Sequence, residues 1–149
     1  MPEPRRRRQR VIDTLDRLER EDDIWLATAS LDGVPHAVPF SLWWSGKEIG
    51  VATPTASVTV RNIAATGRVR AMLGDTGDVV IVDGEPRIDP YADVDADVAA
   101  AFVRRVGWDP GSEPGEWSLV RITPTRVLAW NSIEETDGRT IMSNGAWAA

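Results

Sequence analysis

Two glycine turns in series constrain the fold of this chain more than any other feature. Asp32-Gly33 and Ser45-Gly46 separate three apolar runs, at residues 24–30, 34–44 and 47–53. Asp-Gly is a strong hairpin signal because both central residues of a two-residue hairpin turn adopt positive φ. The pattern therefore predicts a meander of three antiparallel strands.

The rest of the chain continues with short elements joined by turns. Amphipathic helices are predicted over residues 9–21, 57–65 and 94–106. More strands are predicted over residues 68–73, 78–83, 117–122 and 127–131. Many short strands linked by tight turns, with only a few helices, favour a mainly β fold: an antiparallel β-barrel with flanking helices.

Two prolines in the second predicted strand refine this fold. Pro35 and Pro39 lie an even number of residues apart, so they face the same neighbouring strand. Neither has the backbone N–H that a β-ladder needs. The sheet is therefore expected to open, bulge or change partner along residues 35–41, where exposed backbone can line a ligand. The alternative is an ordinary sheet edge.

Composition narrows the class of protein. The 149 residues, with seven Trp, suffice for one domain with a packed core, predicted over residues 11–149. The sequence has no cysteine for disulfides or thiolate metal sites, and no apolar run long enough for a membrane span. No apolar segment follows the N-terminal charges, as a secretory signal requires, so a cytoplasmic protein is expected.

The N-terminus carries the densest run of charge, Arg5 to Arg8 with Arg10. Residues 1–10 are predicted to form a flexible, Arg-rich tail. Arginine clusters bind nucleic-acid phosphates, so a nucleic-acid-binding or partner-binding module is one alternative. The formal charge of −6 disfavours it, and no aromatic residues interleave with the arginines to stack on bases. No nucleic acid is expected as a partner.

Four segments share their order and spacing with a known family. They are LATASLDGVPHAVPFSLWW, VATPTASVTVRNI, VRAMLGDTGDVVIVDGEPRI and TPTRVLAWN. Together they resemble the flavin-binding split barrels related to pyridoxamine 5′-phosphate oxidase, including members that depend on the deazaflavin F420. The resemblance covers nearly the whole chain. It implies an antiparallel split barrel that binds F420 or FMN in a groove between the two subunits of a homodimer.

The resemblance also implies which residues hold the cofactor. The strand residues along its ring or ribityl chain are Val38, Pro39, Phe40 and Ser41, with Ala52 and Thr53 on the adjacent strand. The residues around its phosphate are Ser57, Thr59, Arg61 and Asn62. A helix N-terminus supports this placement because it offers unpaired N–H groups and a positive dipole end. The alternative is that Thr55 or Ser57 only caps the helix and that Arg61 is a surface residue.

The chain departs from the family at the phosphate. Val58 and Thr59 stand where family members often have Arg or Lys. Charge-assisted hydrogen bonds are about twice as strong as neutral ones, so Arg61 must carry most of the charge. Otherwise another arginine must substitute, and the sequence does not rank the candidates, which are Arg68, Arg70, Arg87 and Arg126.

Three tryptophans have predicted positions. Trp130 resembles the late-strand aromatic that in some relatives packs near the cofactor ring from the partner subunit; ordinary core or dimer packing is the alternative. Trp43 and Trp44 are adjacent, so in a strand they point to opposite faces. Only one of the two is expected in the core, and the other is expected to face the dimer contact or the ligand groove.

The implied activity is hydride transfer between the cofactor and an unidentified small molecule. We assign no catalytic residue, because the cofactor carries the redox chemistry and no side chain is clearly required as an acid or base. The sole histidine, His36, has no second His or Cys to complete a metal site, so a structural role is expected and no metal is predicted. The alternative is a non-catalytic flavin- or haem-binding protein on the same fold.

Overall fold

The computed structural model describes residues 3–149, which contain three α-helices and nine strands; four strands follow the first helix, two follow the second and three follow the third. The helices are α1 (Arg7–Arg20), α2 (Val58–Thr66) and α3 (Ala96–Val106). The strands are β1 (Asp23–Ala29), β2 (Pro35–Ser41), β3 (Trp43–Trp44), β4 (Ile49–Pro54), β5 (Arg70–Met72), β6 (Val79–Pro90), β7 (Trp117–Trp130), β8 (Thr140–Ser143) and β9 (Ala146–Trp147).

The strands form one antiparallel sheet in the order β2-β1-β5-β6-β7-β4-β3, and off this path β8 pairs with β7 and β9 pairs with β8. The long β6–β7 pair is its centre. The sheet curls into a half-barrel flanked by helices, so the predicted mainly β split barrel is confirmed. A continuous apolar core fills its interior, and α1 and α2 contribute the buried residues Leu18 and Ile63 to it.

The second predicted strand changes its partner at Leu42. Before it, β2 pairs with β1; after it, β3 pairs with β4 through Trp43 and Gly50. No strand pairs with the other edge of β2 in the described part of the chain. The opening predicted from Pro35 and Pro39 is therefore present, and we call the gap between β2 and β4 the split.

The first hairpin turn differs from its prediction. Gly33 has a φ of 87°, but Asp32 does not adopt positive φ. The strands are closed by a hydrogen bond from Ser30 N–H to the Val34 carbonyl at 3.0 Å, which leaves three residues in the loop. A three-residue hairpin loop needs positive φ only at its last position. The glycine signal identified the hairpin correctly and the turn type incorrectly.

Trp43 and Trp44 are both buried, contrary to expectation. They do point to opposite faces, but each face has its own core. Trp44 packs inside the barrel, whereas Trp43 joins a second cluster beneath α3 together with Phe102 and Tyr91. Trp43 lies flat on Gly50, where a Cβ atom would collide with its ring. A helix that covers the outer face of the sheet creates this second core, which the strand sequence alone does not reveal.

β7 is one strand, where two were predicted around Pro124. The β6–β7 register shifts at Gly84, which pairs with Pro124 and leaves Thr125 as the extra residue of a β-bulge. Thr125 donates from its hydroxyl to the Asp83 carbonyl at 3.3 Å. This side-chain bond and the bulge let the strand run through a proline that has no N–H to donate.

The N-terminal segment packs on the barrel from Arg5 onward, which differs from the flexible tail predicted over residues 1–10. α1 already begins at Arg7. Arg5 donates its backbone N–H to Glu135 Oε2 at 2.7 Å, and that carboxylate lies 130 residues away in sequence. Such a distant partner leaves no local signal. Residues 1 and 2 of the predicted tail lie outside the described residues.

Candidate functional site

One wall of the split is the unpaired edge of β2. Ser30 donates to the Val34 carbonyl at 3.0 Å, and Leu42 donates to the Asp22 carbonyl at 2.8 Å. The even-numbered residues of this strand therefore turn their backbone groups toward β1. Since successive residues alternate in an antiparallel pair, the odd-numbered residues turn theirs into the split. They are Pro35, Ala37, Pro39 and Ser41.

The other wall is the free edge of β4. Ser45 donates to the Glu48 carbonyl at 3.0 Å, so Glu48 and Gly50 face β3. β3 begins at Trp43, opposite Gly50, so it does not cover Ala52, and the same alternation turns the backbone groups of Ala52 into the split. Pro54 lies at the same edge, but its carbonyl accepts from Ser57 N–H at 2.9 Å. The Cα atoms of β2 and β4 approach within 8 Å, so the two edges face each other across a narrow opening.

The two walls are rich in hydrogen-bond acceptors. Five residues direct free backbone groups into the split, and two of them, Pro35 and Pro39, have no N–H. Five carbonyl groups therefore accompany three N–H groups, those of Ala37, Ser41 and Ala52. The edge cannot extend the sheet with another strand, and it matches a ligand that presents hydroxyl or N–H donors.

The side chains of the six predicted strand residues divide between the two faces. Val38 and Phe40 lie opposite the buried Leu26 and Ile24, on the interior face. Pro39 and Ser41 lie on the outer face. On β4, Thr53 points inward, whereas the Ala52 side chain is buried beneath α3. The structure thus brings both predicted strand segments to the split, where Ala52 contributes backbone only.

Helix α2 begins at the wide end of the split, directly after β4. Ser57 is its N-cap, and the Ser57 hydroxyl accepts a hydrogen bond from Val60 N–H at 3.2 Å. The N–H groups of Val58 and Thr59 have no acceptor within residues 3–149. Unpaired first-turn N–H groups and the positive end of the helix dipole favour an anion at this position.

The four predicted phosphate residues do not converge on one point. Thr59 is 1% exposed and Asn62 is 5% exposed, because both lie on the buried face of α2. The Asn62 amide donates to Thr28 Oγ1 at 3.1 Å, so it holds the helix on β1. Arg61 is exposed on the other side of the helix. An anion at the start of α2 would therefore meet Ser57, the free N–H groups and Arg61.

Ion pairs rank the other candidate arginines. Arg70 makes a two-pronged contact with the Asp83 carboxylate at 2.7 and 2.9 Å, which lowers the pKa of that carboxyl. Arg126 lies 3.9 Å from the same group, and Arg87 pairs with Asp89 at 2.9 Å. Arg68 makes no ion pair within the described residues, but it lies beyond the C-terminal end of α2. Arg61 is therefore the best-placed unpaired cation.

Trp130 lies far from the split of its own chain. It ends β7, eight residues beyond Ile122, the last residue of β7 that pairs with β4. The Arg139 guanidinium lies 5.4 Å from the centre of its ring. Its cross-strand neighbour is Val79, at the edge of the outer sheet face. Any contact of Trp130 with a ligand in the split would require a second copy of the chain.

Sequence reasoning missed two features near these residues. Trp25 is 42% exposed on the outer face of the sheet and aligns with Pro39, Met72 and Ile81 in an apolar row across the strands. Trp108, which follows α3, donates its indole N–H to Ser41 Oγ at 3.4 Å. The alternation of side chains along β1 indicates the outward position of Trp25. The contact between Trp108 and Ser41 depends on how α3 packs back onto the sheet.

Other surfaces do not coincide with the predicted site. An open groove of about 820 Å³ lies at the C-terminal end of α2, lined by residues that include Arg68, Arg70 and Glu85, and none of the predicted site residues lines it. Within residues 3–149, no group of three His, Cys, Asp or Glu side chains could hold a metal ion. Over the same residues, no helix is long and apolar enough to cross a membrane.

Known structures share this fold. An F420 reductase is 22% identical, covers 75% of this chain and 93% of its own, and has a TM-score of 0.61. A pyridoxamine 5′-phosphate oxidase-related, FMN-binding protein from Nostoc punctiforme is 15% identical, covers 82% of each chain and has a TM-score of 0.56. HutZ, the haem storage protein from Vibrio cholerae, is 16% identical, covers 80% of this chain and 93% of its own, and has a TM-score of 0.67.

Sequence comparison gives the family. No curated protein sequence matches the chain. The family model for pyridoxamine 5′-phosphate oxidase matches residues 14–131, from within α1 to the end of β7. The match spans both walls of the split, α2 and the strand that carries Trp130. The chain therefore belongs to the pyridoxamine 5′-phosphate oxidase family.

Proposed function

We propose that this protein is an oxidoreductase that binds F420 or FMN in the split and transfers hydride between the cofactor and a small-molecule substrate. The observation that carries the proposal is the acceptor-rich split that ends at the free N-terminus of α2. Flavins and deazaflavins match this arrangement, because a hydroxylated ribityl chain connects a planar ring to a phosphate. The hydroxyl donors would meet strand carbonyls, and the phosphate would meet α2.

The chain's own residues have a placing role in this proposal. Ser57, the N–H groups of Val58 and Thr59, and the Arg61 guanidinium would hold the phosphate. The β2 and β4 edges would hold the ribityl chain, while Val38 and Phe40 would exclude water from the ring. The cofactor supplies the hydride chemistry when it is bound, so no side chain needs to act as an acid or base.

The second candidate is a non-catalytic flavin- or haem-binding protein. Val58 and Thr59 favour it, because they leave the phosphate end with Arg61 as the nearest unpaired cation. The split itself favours a flavin over haem. Haem carries carboxylates and no hydroxyl donors, so the carbonyl-rich walls would stay unpaired against it, and an unpaired buried acceptor costs about 1–3 kcal/mol.

We also propose that the functional unit is a homodimer formed by the outer face of the sheet. Trp25, Met72 and Ile81 form an apolar row on this face, and a half-exposed Trp is typical of protein–protein interfaces. A dimer through this face could bring Trp130 of the partner subunit toward the cofactor. Trp25→Arg is expected to convert the dimer to a monomer in sedimentation velocity; a wild-type monomer would contradict the proposal.

Cofactor binding followed by turnover tests the function. Purified protein is titrated separately with FMN and F420, and binding is followed by cofactor fluorescence. Binding of either cofactor at or below tens of micromolar is expected, and binding of neither contradicts the proposal. The bound cofactor is then reduced, and its reoxidation is followed. Reoxidation that occurs only after an acceptor is added supports the oxidoreductase. Binding of a cofactor that no added acceptor reoxidises supports the non-catalytic protein.

A further inference from the structure

Among the residues that direct free backbone groups into the split, Ser41 is the one that adds a side-chain donor. The other four are prolines and alanines. Its hydroxyl can accept two hydrogen bonds and donate one. In a site with five carbonyl groups and three N–H groups, a carbonyl oxygen of the ligand has few donors to bond, so the Ser41 hydroxyl is an important donor.

Trp108 occupies one acceptor position of the Ser41 hydroxyl. Its indole N–H donates to Ser41 Oγ at 3.4 Å. The hydroxyl hydrogen has no acceptor within residues 3–149, so it is available to a ligand. A hydroxyl that already accepts a hydrogen bond at a fixed position is restricted in the directions in which it donates.

The indole of Trp108 is itself held in place. It packs edge-on against the fully buried Phe102, with ring centres 6.2 Å apart, and against Trp117 at 5.4 Å. Phe102 anchors α3 on the outer core. The contact between Trp108 and Ser41 therefore ties α3 to the narrow end of the split, where the second strand changes its partner.

We propose that Trp108 is a positioning residue that acts through Ser41. By bonding to Ser41 Oγ, it directs the serine O–H toward a ring carbonyl oxygen of a planar heterocycle bound in the split. This inference rests on the proposed function, because it needs a ring-containing ligand at the β2 edge. It places the ring at the narrow end, near Ser41, and the phosphate at the wide end, near α2.

Four variants test this inference with FMN as the probe. Trp108→Phe keeps an aromatic ring and removes the N–H, and Ser41→Ala removes the hydroxyl. Each is expected to weaken FMN binding about 3- to 10-fold, the loss for one neutral hydrogen bond, and to shift the visible absorption band of bound FMN. Ser41→Thr restores a hydroxyl and is expected to restore both readouts. Trp147→Phe is the matched control, because Trp147 packs against the interior core and not in the cluster that holds Trp108.

A double-mutant cycle separates positioning from packing. If Trp108 acts through Ser41, Trp108→Phe combined with Ser41→Ala binds FMN no more weakly than Ser41→Ala alone. Additive losses, or an unshifted absorption band in Trp108→Phe, overturn the inference while FMN binding by the wild type leaves the proposed function intact. Absence of any FMN or F420 binding by the wild type instead contradicts the proposed function itself.

Discussion

The two helix-bearing ends of the barrel use their arginines in opposite ways. α1 leads into the start of β1, and α2 is bonded to Thr28 near the end of the same strand. Around α1, Arg5, Arg10 and Arg17 all donate to partners on the barrel. At α2, Arg61 has no partner within residues 3–149 and lies exposed. We propose that the α1 end contributes stability and that the α2 end binds a ligand.

The hydrogen bonds of Glu135 illustrate how side chains are paired at the α1 end. Its carboxylate is 2% exposed and accepts from the Arg5 guanidinium, the Arg5 N–H and the Asn131 N–H. Burial acts to raise its pKa and is the largest single influence. The hydrogen bonds from Arg5 and Asn131 and the charge of Arg5 together outweigh burial and lower the pKa to about 2.

The largest effect is expected from breaking the α1 end. Glu135→Gln leaves the Arg5 guanidinium without its most buried partner, and breaking a buried ion pair costs about 3–5 kcal/mol. We expect a loss of about 3 kcal/mol in the free energy of unfolding, measured in urea at pH 7. The exposed neighbour gives the control: Glu134→Gln should change it by less than about 0.5 kcal/mol. FMN affinity should not change in either variant.

The same carboxylate predicts a dependence of stability on pH. Its pKa is about 2 in the folded protein, against an ordinary value of 4.5. A lowered pKa stabilises the folded state above the ordinary value, and this contribution is lost as the pH falls from about 4.5 to about 2. The loss amounts to about 3 kcal/mol. Urea unfolding at pH 5 and pH 2 should show this loss of stability in the wild type and not in Glu135→Gln. Equal losses of stability in both proteins would contradict the assignment.

At the α2 end, the expected change is in cofactor affinity and not in stability, and it is smaller. Arg61→Ala removes a charge-assisted hydrogen bond to the phosphate, so FMN and F420 binding should weaken about 10-fold or more. The free energy of unfolding should change by less than about 0.5 kcal/mol, because Arg61 is exposed and unpaired. Arg68→Ala, beyond the other end of α2, is the matched control and should leave affinity unchanged. Equal losses in both variants would indicate a general charge effect.

The smallest changes in stability and affinity are expected at Ser57, which caps α2 and is also predicted to bind the phosphate. Ser57→Ala removes the N-cap and is expected to cost about 1 kcal/mol of stability, with a modest loss of FMN affinity. Ser57→Asp keeps a capping oxygen and adds a negative charge, so stability should be retained while FMN binds more weakly by repulsion. Thermal unfolding measures the capping role of Ser57, and FMN titration measures its role in phosphate binding. Unchanged FMN affinity in Ser57→Asp would show that Ser57 is only a cap.

Local chemistry explains what the sequence could predict. Pro35 and Pro39 lack an N–H wherever they lie, so the open edge of β2 was predictable. The N-cap Ser57 is one of the two capping residues that the sequence indicated. The turn at Gly33 was recognised for the same reason. These signals depend on one or a few adjacent residues, and the tertiary fold does not change them.

Long-range packing explains what the sequence could not predict. The N-terminal arginines were predicted to form a flexible tail because Glu135, the partner of Arg5, lies 130 residues away in sequence. The burial of Trp43 depends on α3, and the inward orientation of Thr59 and Asn62 depends on how α2 sits on β1. The family resemblance implied the four phosphate residues together, whereas the structure divides them between two faces of one helix.

The phosphate of FMN gives the most direct test of the difference between the two ends. Riboflavin has the same ring and ribityl chain without the phosphate, so its affinity isolates the contribution of the α2 end. The wild type is expected to bind FMN at least about 10-fold more tightly than riboflavin, and Arg61→Ala should remove most of that preference. Equal affinity of the wild type for FMN and riboflavin would contradict the assignment of the α2 end as a phosphate site.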